Sequence, residues 1–150
     1  MRREDRQIGE VTALAILAQG EYGVLSTVSP DGTPYAVPLN YCLIDKKIYF
    51  HAATVGKKLD NIVTNPHVSF CVVGHTQILP EKFGTRYESC IVAGSAAEVF
   101  SEEKLKALNA IVAKYSPDFI AEGADYIANK QAATRVFAIA IVSVTGKAKR

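Results

Sequence analysis

The residues best placed to do chemistry lie in "YFHAATVGKKLDNIVTNP", residues 49 to 66. Small residues Ala52, Ala53 and Gly56 leave the backbone open between a strand-like run and a helix-like one, and Lys57 and Lys58 fall in the first helical turn. Free amide donors and the helix dipole favour an anion at such a start. Lysines there oppose the dipole unless a negative partner offsets them, which points to a phosphate; two lysines merely solvating an exposed turn is the other reading. His51 ends the strand pattern after Tyr49 and Phe50, where a hydrogen-bonded structural histidine is as natural as a functional one.

Other chemistry finds little support. His51, His67 and His75 share no helical or tight-turn spacing, so no histidine-based metal site is expected. Ser26, Ser69 and Ser89 lack a nucleophile-elbow context, and Cys42, Cys71 and Cys90 lie in apolar strand-like runs where a thiolate is disfavoured. Glu88, next to Arg86 at the start of an apolar segment, reads as half of an ion pair on a barrel rim. Without an internal acid–base or nucleophile set, chemistry borrowed from a cofactor is the economical expectation.

Composition agrees with a local anion site. Seventeen basic residues face 15 acidic ones, a formal charge of +2, too balanced for a dedicated nucleic-acid or membrane-surface protein. The terminal basic groups, Arg2, Arg3 and Arg6 and then Lys147, Lys149 and Arg150, read as solvated ends. Three widely spaced cysteines, no signal-peptide core and no apolar run of membrane-spanning length suggest a soluble cytoplasmic protein with reduced thiols. The 150 residues contain no linker or repeat and fit one domain, 1–150.

The elements that must position these residues follow from pattern. Apolar Ile8, Val11, Leu14, Ala15 and Ala18 predict an amphipathic helix from Arg3 to Gln19, capped at Gly20. "YGVLSTVS", the turn "PDGTP" and "YAVPLNYCLI" predict a hairpin, and "DKK" a turn into "IYFHAA". A two-turn helix follows, with Leu59, Ile62 and Val63 on one face and a stop at Asn65-Pro66. Strands "HVSFCVVG" and "ESCIVAGSAAEVF", the latter bent at Gly94, flank a long loop over residues 75 to 87. Ser101 reads as the cap of a helix with apolar stripe Leu105, Leu108, Ile111 and Val112. A broken helical excursion over "SPDFIAEGADYIANKQA" leads to "TRVFAIAIVSVTGK", a strand buried on both sides. About six mostly hairpin-connected strands with flanking helices make a mainly β member of the α+β class, an antiparallel barrel.

In order, "MRREDR", "GEYGVLSTVSPDGTPYAVPLNY", "IYFHAATVGKKLDNIVTNPHVSFCVV", "TRYESCIVAGSAAEV" and "VTGK" span nearly the whole chain. Together they resemble the flavin-binding split-barrel proteins of the pyridoxamine 5'-phosphate oxidase-like superfamily, in particular the nitroimidazole-resistance (Nim-type) branch. The resemblance implies a Greek-key split barrel and a homodimer with FMN, or FAD, in a groove between the chains. It places Val37, Pro38, Leu39 and Asn40 beside the isoalloxazine ring, and His51, Ala52 and Ala53 along ring and ribityl chain. Gly56, Lys57 and Lys58 would hold the phosphate, with Glu88 and Ser89 near the ribityl-phosphate part, and His51 would stand near flavin or substrate as the candidate catalytic residue. The implied activity is a flavin-dependent oxidoreductase passing electrons from NADH or NADPH to a small acceptor such as a 5-nitroimidazole. A flavin-storing or flavin-sensing protein without turnover is the alternative; haem or deazaflavin on the same barrel is a third.

Overall fold

The computed structural model describes residues 2–150; Met1, which opens the basic stretch, lies outside them. Eight strands form one antiparallel sheet: β1 (Gln7–Ile8), β2 (Gly23–Val28), β3 (Pro34–Leu39), β4 (Cys42–Ile44), β5 (Lys47–Ala52), β6 (His67–Leu79), β7 (Gly84–Val99) and β8 (Arg135–Lys149). Their order is β3-β2-β6-β7-β8-β5-β4, with β1 against the far end of β8. Leu25, Ile48, Phe50, Phe70, Val92 and Phe137, from β2 round to β8, meet in one buried cluster, so the sheet wraps about a shared core while the edges of β3 and β4 stay unjoined. This is the expected α+β split barrel. β5 lies beside β8 although its chain continues into β6, a Greek-key arrangement.

Four helices complete the fold: α1 (Glu10–Gln19), α2 (Lys57–Thr64), α3 (Ser101–Tyr115) and α4 (Ile120–Lys130). Through Ala13, Ile16 and Leu17, α1 joins the interior cluster. On the outer face, Ala107, Leu108 and Ile111 of α3 cover Cys42, Tyr49, Val136 and Ala138. Ile127 of α4 joins the same cluster.

Several expectations are corrected. The first helix begins at Glu10, because Gln7 and Ile8 instead supply backbone partners to Lys147 and Gly146 of β8. Its buried side is Ala13, Ile16 and Leu17, leaving Val11 84% exposed. Gly20 is the C-cap, but at φ −59° it is not left-handed; a Cβ there would overlap Val72 and stand 2.6 Å from the Tyr41 hydroxyl. Val63 is exposed, and Asn61 takes the buried place beside Leu59 and Ile62. Ser101 makes no side-chain cap bond and has φ +53°, while Leu105 is partly exposed.

The stretch 75–87 is no loop. Thr76↔Tyr87 through Leu79↔Gly84 continue the β6–β7 pairing to a tip at Pro80–Phe83; both arms lack a buried face, so they carry no amphipathic signal. The bend at Gly94 stands: the β7–β8 register shifts between Ala93 and Gly94, and a Cβ at Gly94 would lie 2.6 Å from the Ala140 carbonyl. The excursion is broken by short 3-10 turns at Pro117–Phe119 and Gln131–Ala133. β8 is buried on both sides only over Val136–Ile139, where α3 covers it; Val142 is 77% exposed.

Candidate functional site

Helix α2 starts at Lys57 after Gly56, which offers no side-chain cap, so its first amides are left without the usual Ser or Asp oxygen. Leu59 and Ile62 anchor the helix in the core, and the Asn61 amide donates to the Thr27 hydroxyl at 3.0 Å, with both residues at most 2% exposed. The Thr27 hydroxyl in turn donates to the Tyr35 carbonyl at 3.4 Å, so the buried Asn61 amide ties α2 to the β2–β3 pair and would lose this partner if the helix shifted.

The two lysines diverge from that fixed start. Lys57 lies over the Tyr35 ring of β3, 4.9 Å from its centroid. The Lys58 charge is felt at His51: burial first, and that charge second, lower the pKa of His51 below its ordinary 6.5. His51 is thus neutral at neutral pH, able to donate one hydrogen bond and accept another. On β5 it alternates with Phe50 and Ala52, which face the interior, and so points to the outer face, exposed beside the α3–α4 pair.

The connecting residues Ala53, Thr54 and Val55 are exposed, yet they are held in place by a residue that sequence reasoning missed. Arg135 pairs in register with Ala52; its Nη1 donates to the Thr54 carbonyl at 3.1 Å, while Nε and Nη2 grip Glu98 at 2.9 and 2.7 Å. The guanidinium holds the Glu98 carboxyl below the usual range and lies 5.3 Å from the centroid of Phe137. The available signal was a lone arginine opening the apolar run "VFAIAIV"; its partners lie 37 and 81 residues away.

Val37, Pro38 and Leu39 lie on β3, an edge strand paired only with β2. Val37 and Leu39 pack inward and Pro38 faces out, as an edge tolerates. From Tyr35 to Asn40 the strand covers about 17 Å. Asn40 ends it in an open cavity of about 670 Å³ shared with Tyr22, Lys114 and Tyr115. In that cavity wall Lys114 donates to the Tyr41 carbonyl at 3.0 Å and lies 3.8 Å from the centroid of the Tyr41 ring.

Glu88 and Ser89 are not part of this cluster. Val99 of β7 is level with His51 across β8, and Glu88 lies eleven residues back along β7, about 35 Å away along the strand. The expected Glu88–Arg86 pair is replaced by other contacts: Arg86 Nη1 donates to Gln77 at 3.3 Å, and Glu88 Oε1 accepts the His75 amide at 3.4 Å. Among the described residues no three His, Cys, Asp or Glu side chains converge to hold a metal, and no helix is long and apolar enough to cross a membrane.

The profile of the pyridoxamine 5'-phosphate oxidase family matches residues 10–148. The chain belongs to that family. Similar solved structures include an FAD-binding protein from Mesorhizobium loti, 25% identical, covering 97% of this chain and 98% of that one at a TM-score of 0.70. A candidate 5-nitroimidazole antibiotic resistance protein from Bacteroides thetaiotaomicron is 20% identical over 94% of this chain and 85% of that one, TM-score 0.76. The FAD and heme binding protein of Mycobacterium smegmatis is 19% identical over 97% and 74%, TM-score 0.84. At these lower identities the likeness is one of fold. No curated protein matches. This member of the pyridoxamine 5'-phosphate oxidase family thus presents a cationic helix start beside a free strand edge, an exposed histidine near Lys58, and Glu88 far along β7 from that histidine.

Proposed function

We propose that the protein binds a flavin nucleotide, FMN in the first place, with its phosphate at the start of α2 and its ring along the edge of β3. The observation that carries this reading is the juxtaposition of Lys57 with Tyr35: it joins a cationic helix N-terminus to an unpaired strand edge about 17 Å long. The donor set fits the group. Lys57, Lys58 and the uncapped amides of α2 suit a phosphate, and the outward backbone groups of Val37 to Asn40 suit the polar edge of a ring. That one relative is named as FAD-binding supports a flavin and keeps FAD as an option.

Bound flavin would supply two-electron transfer from NADH or NADPH to a small acceptor, a nitroaromatic such as a 5-nitroimidazole among the candidates. The chain's own part is to fix the phosphate with Lys57 and Lys58, to hold the 53–56 segment through Arg135, and to offer a neutral imidazole at His51 as hydrogen-bond or proton donor.

The same reading includes a homodimer. Pro38, Val24, Cys71, Ile91 and Thr145 form one cross-strand row on the outer face, and Ala36, Ser26, Ser69, Ala93 and Ser143 the next. Neither row has a charge, and Ile91 and the nearby Val73 and Val142 are exposed, the composition of an interface centre. Glu88 and Ser89 lie eleven and ten residues along β7 from the level of His51, and in this reading they approach the ribityl-phosphate part of the flavin from the partner chain. Free thiols at Cys42, Cys71 and Cys90 are consistent with a reducing compartment such as the cytoplasm.

The test is direct. The purified protein is expected to be yellow and to bleach anaerobically with NADH or NADPH. Colourless protein that also fails to bind added flavin overturns the proposal, and flavin binding without bleaching by either donor selects storage or sensing.

A further inference from the structure

Lys114 lies in the last turn of α3, and its side chain helps to line the open cavity in which β3 ends at Asn40. The ammonium spends one of its three protons on the Tyr41 carbonyl, at 3.0 Å. It lies 3.8 Å from the centroid of the Tyr41 ring and 5.2 Å from that of Tyr115. None of the ion pairs among the described residues includes it. The lining holds one carboxylate, that of the exposed Glu21, which makes none of those pairs either.

Seating the helix does not require this charge. The Tyr115 hydroxyl donates to the Glu21 carbonyl at 2.6 Å and accepts the Tyr41 amide at 3.1 Å, so the end of α3 is already tied to both segments. Lys114 adds a half-buried cation, and burial lowers its pKa below the ordinary 10.5. The two tyrosine rings offset part of that cost, and a negative group in the cavity would offset more.

Such a group follows from the proposed flavin function, on which this inference rests. With the phosphate at Lys57 and the polar ring edge along Val37 to Asn40, the ring ends at the cavity that Lys114 lines. The oxidised ring is neutral. Uptake of two electrons and one proton leaves one negative charge on the polar edge, and a charge placed nearby is a lever by which a protein tunes a flavin. We propose that Lys114 faces this charge, favours the reduced flavin over the oxidised one and so raises the reduction potential. The nicotinamide donor loses two electrons and one proton, the ring gains them, and Lys114 keeps its own protons throughout.

Midpoint potentials of the FMN-loaded protein, measured against a reference dye, test this together with the affinity for oxidised FMN. Lys114→Gln, and Lys114→Met, which keeps an apolar contact with the Tyr41 ring, are each expected to lower the two-electron potential by about 30 mV, a tenfold loss of preference for the reduced flavin. Lys114→Arg restores the potential. The loss falls on the reduced form, whereas a merely structural lysine would weaken both forms alike and leave the potential where it was. A potential unmoved in both neutral variants, or lowered as far by Lys114→Arg as by Lys114→Gln, overturns the inference and leaves flavin binding standing. Wild-type protein that takes up no flavin removes the proposed function, and this inference with it.

Discussion

The Lys57 ammonium stands 4.9 Å from the centroid of the Tyr35 ring, linking the first turn of α2 to the edge of β3. Lys58, one residue on, acts instead on His51. Adjacent lysines thus serve two different surfaces, because successive helical side chains diverge by about 100°.

Removing either lysine should weaken flavin binding. Lys58→Ala and Lys57→Ala are each expected to cost about 1.5–3 kcal/mol of flavin affinity, the range of a charge-assisted hydrogen bond. Tyr35→Leu should cost less, about 0.5–1 kcal/mol, as an exposed cation–π contact does. Fluorescence titration with FMN measures all three, and unchanged affinity in both lysine variants would remove the phosphate assignment.

Asn61→Ala leaves the Thr27 hydroxyl buried without its 3.0 Å partner. The Thr27 hydroxyl keeps the Tyr35 carbonyl at 3.4 Å, so a loss of about 0.5–1.5 kcal/mol in unfolding free energy follows from one lost hydrogen bond. Because the same bond seats α2, flavin affinity should fall as well. Urea unfolding and flavin titration of one preparation check both, and a stable variant with full affinity would show that Leu59 and Ile62 suffice to seat the helix.

His51 should titrate below 6.5, since burial and then Lys58 disfavour its charged form. A base whose folded pKa is lowered stabilises the fold above its unfolded pKa, and that contribution is lost as pH falls through 6.5 toward the folded value. NMR titration of the ring is the check: Lys58→Ala should move the midpoint upward, though not fully to 6.5, because burial is the larger cause. A midpoint unmoved by the variant would mean that Lys58 points away from the ring.

Ile91→Arg places a charge in the centre of the uncharged outer rows. The expected outcome by light scattering is a monomer in place of a dimer, with flavin lost alongside, because the proposed groove needs both chains. A flavin-loaded monomer would show that one chain is enough.

Gly20→Ala drives a Cβ into Val72 and the Tyr41 hydroxyl, which itself bonds the Leu17 carbonyl. Overpacking of this kind costs about 1–3 kcal/mol. The urea midpoint should drop with its slope unchanged; an unchanged midpoint would mean that Tyr41 can swing aside at no cost.

Local signals in the sequence were enough to mark the cationic helix start at Gly56, Lys57 and Lys58, the stop at Asn65-Pro66, the bend at Gly94 and the broken excursion after Tyr115. Each depends on a few neighbouring residues whose backbone preferences or charges act within one or two turns. Contacts between distant segments decided the rest. Asn61 takes the buried place expected of Val63, where its amide reaches the hydroxyl of Thr27, 34 residues earlier. Residues 75–87 become paired strands because backbone groups of β6 and β7 satisfy each other without any buried face. Arg135 comes to hold Thr54 because the β5–β8 register sets it opposite Ala52. The placing of Glu88 eleven residues along β7 from the level of His51 follows from the length of β7 and its register, neither of which a sequence motif encodes. The sequence by itself determined which residues could meet an anion and where the chain must turn. Only the tertiary structure decided which faces are buried and which candidates stand together, since register and burial are set by pairing over tens of residues.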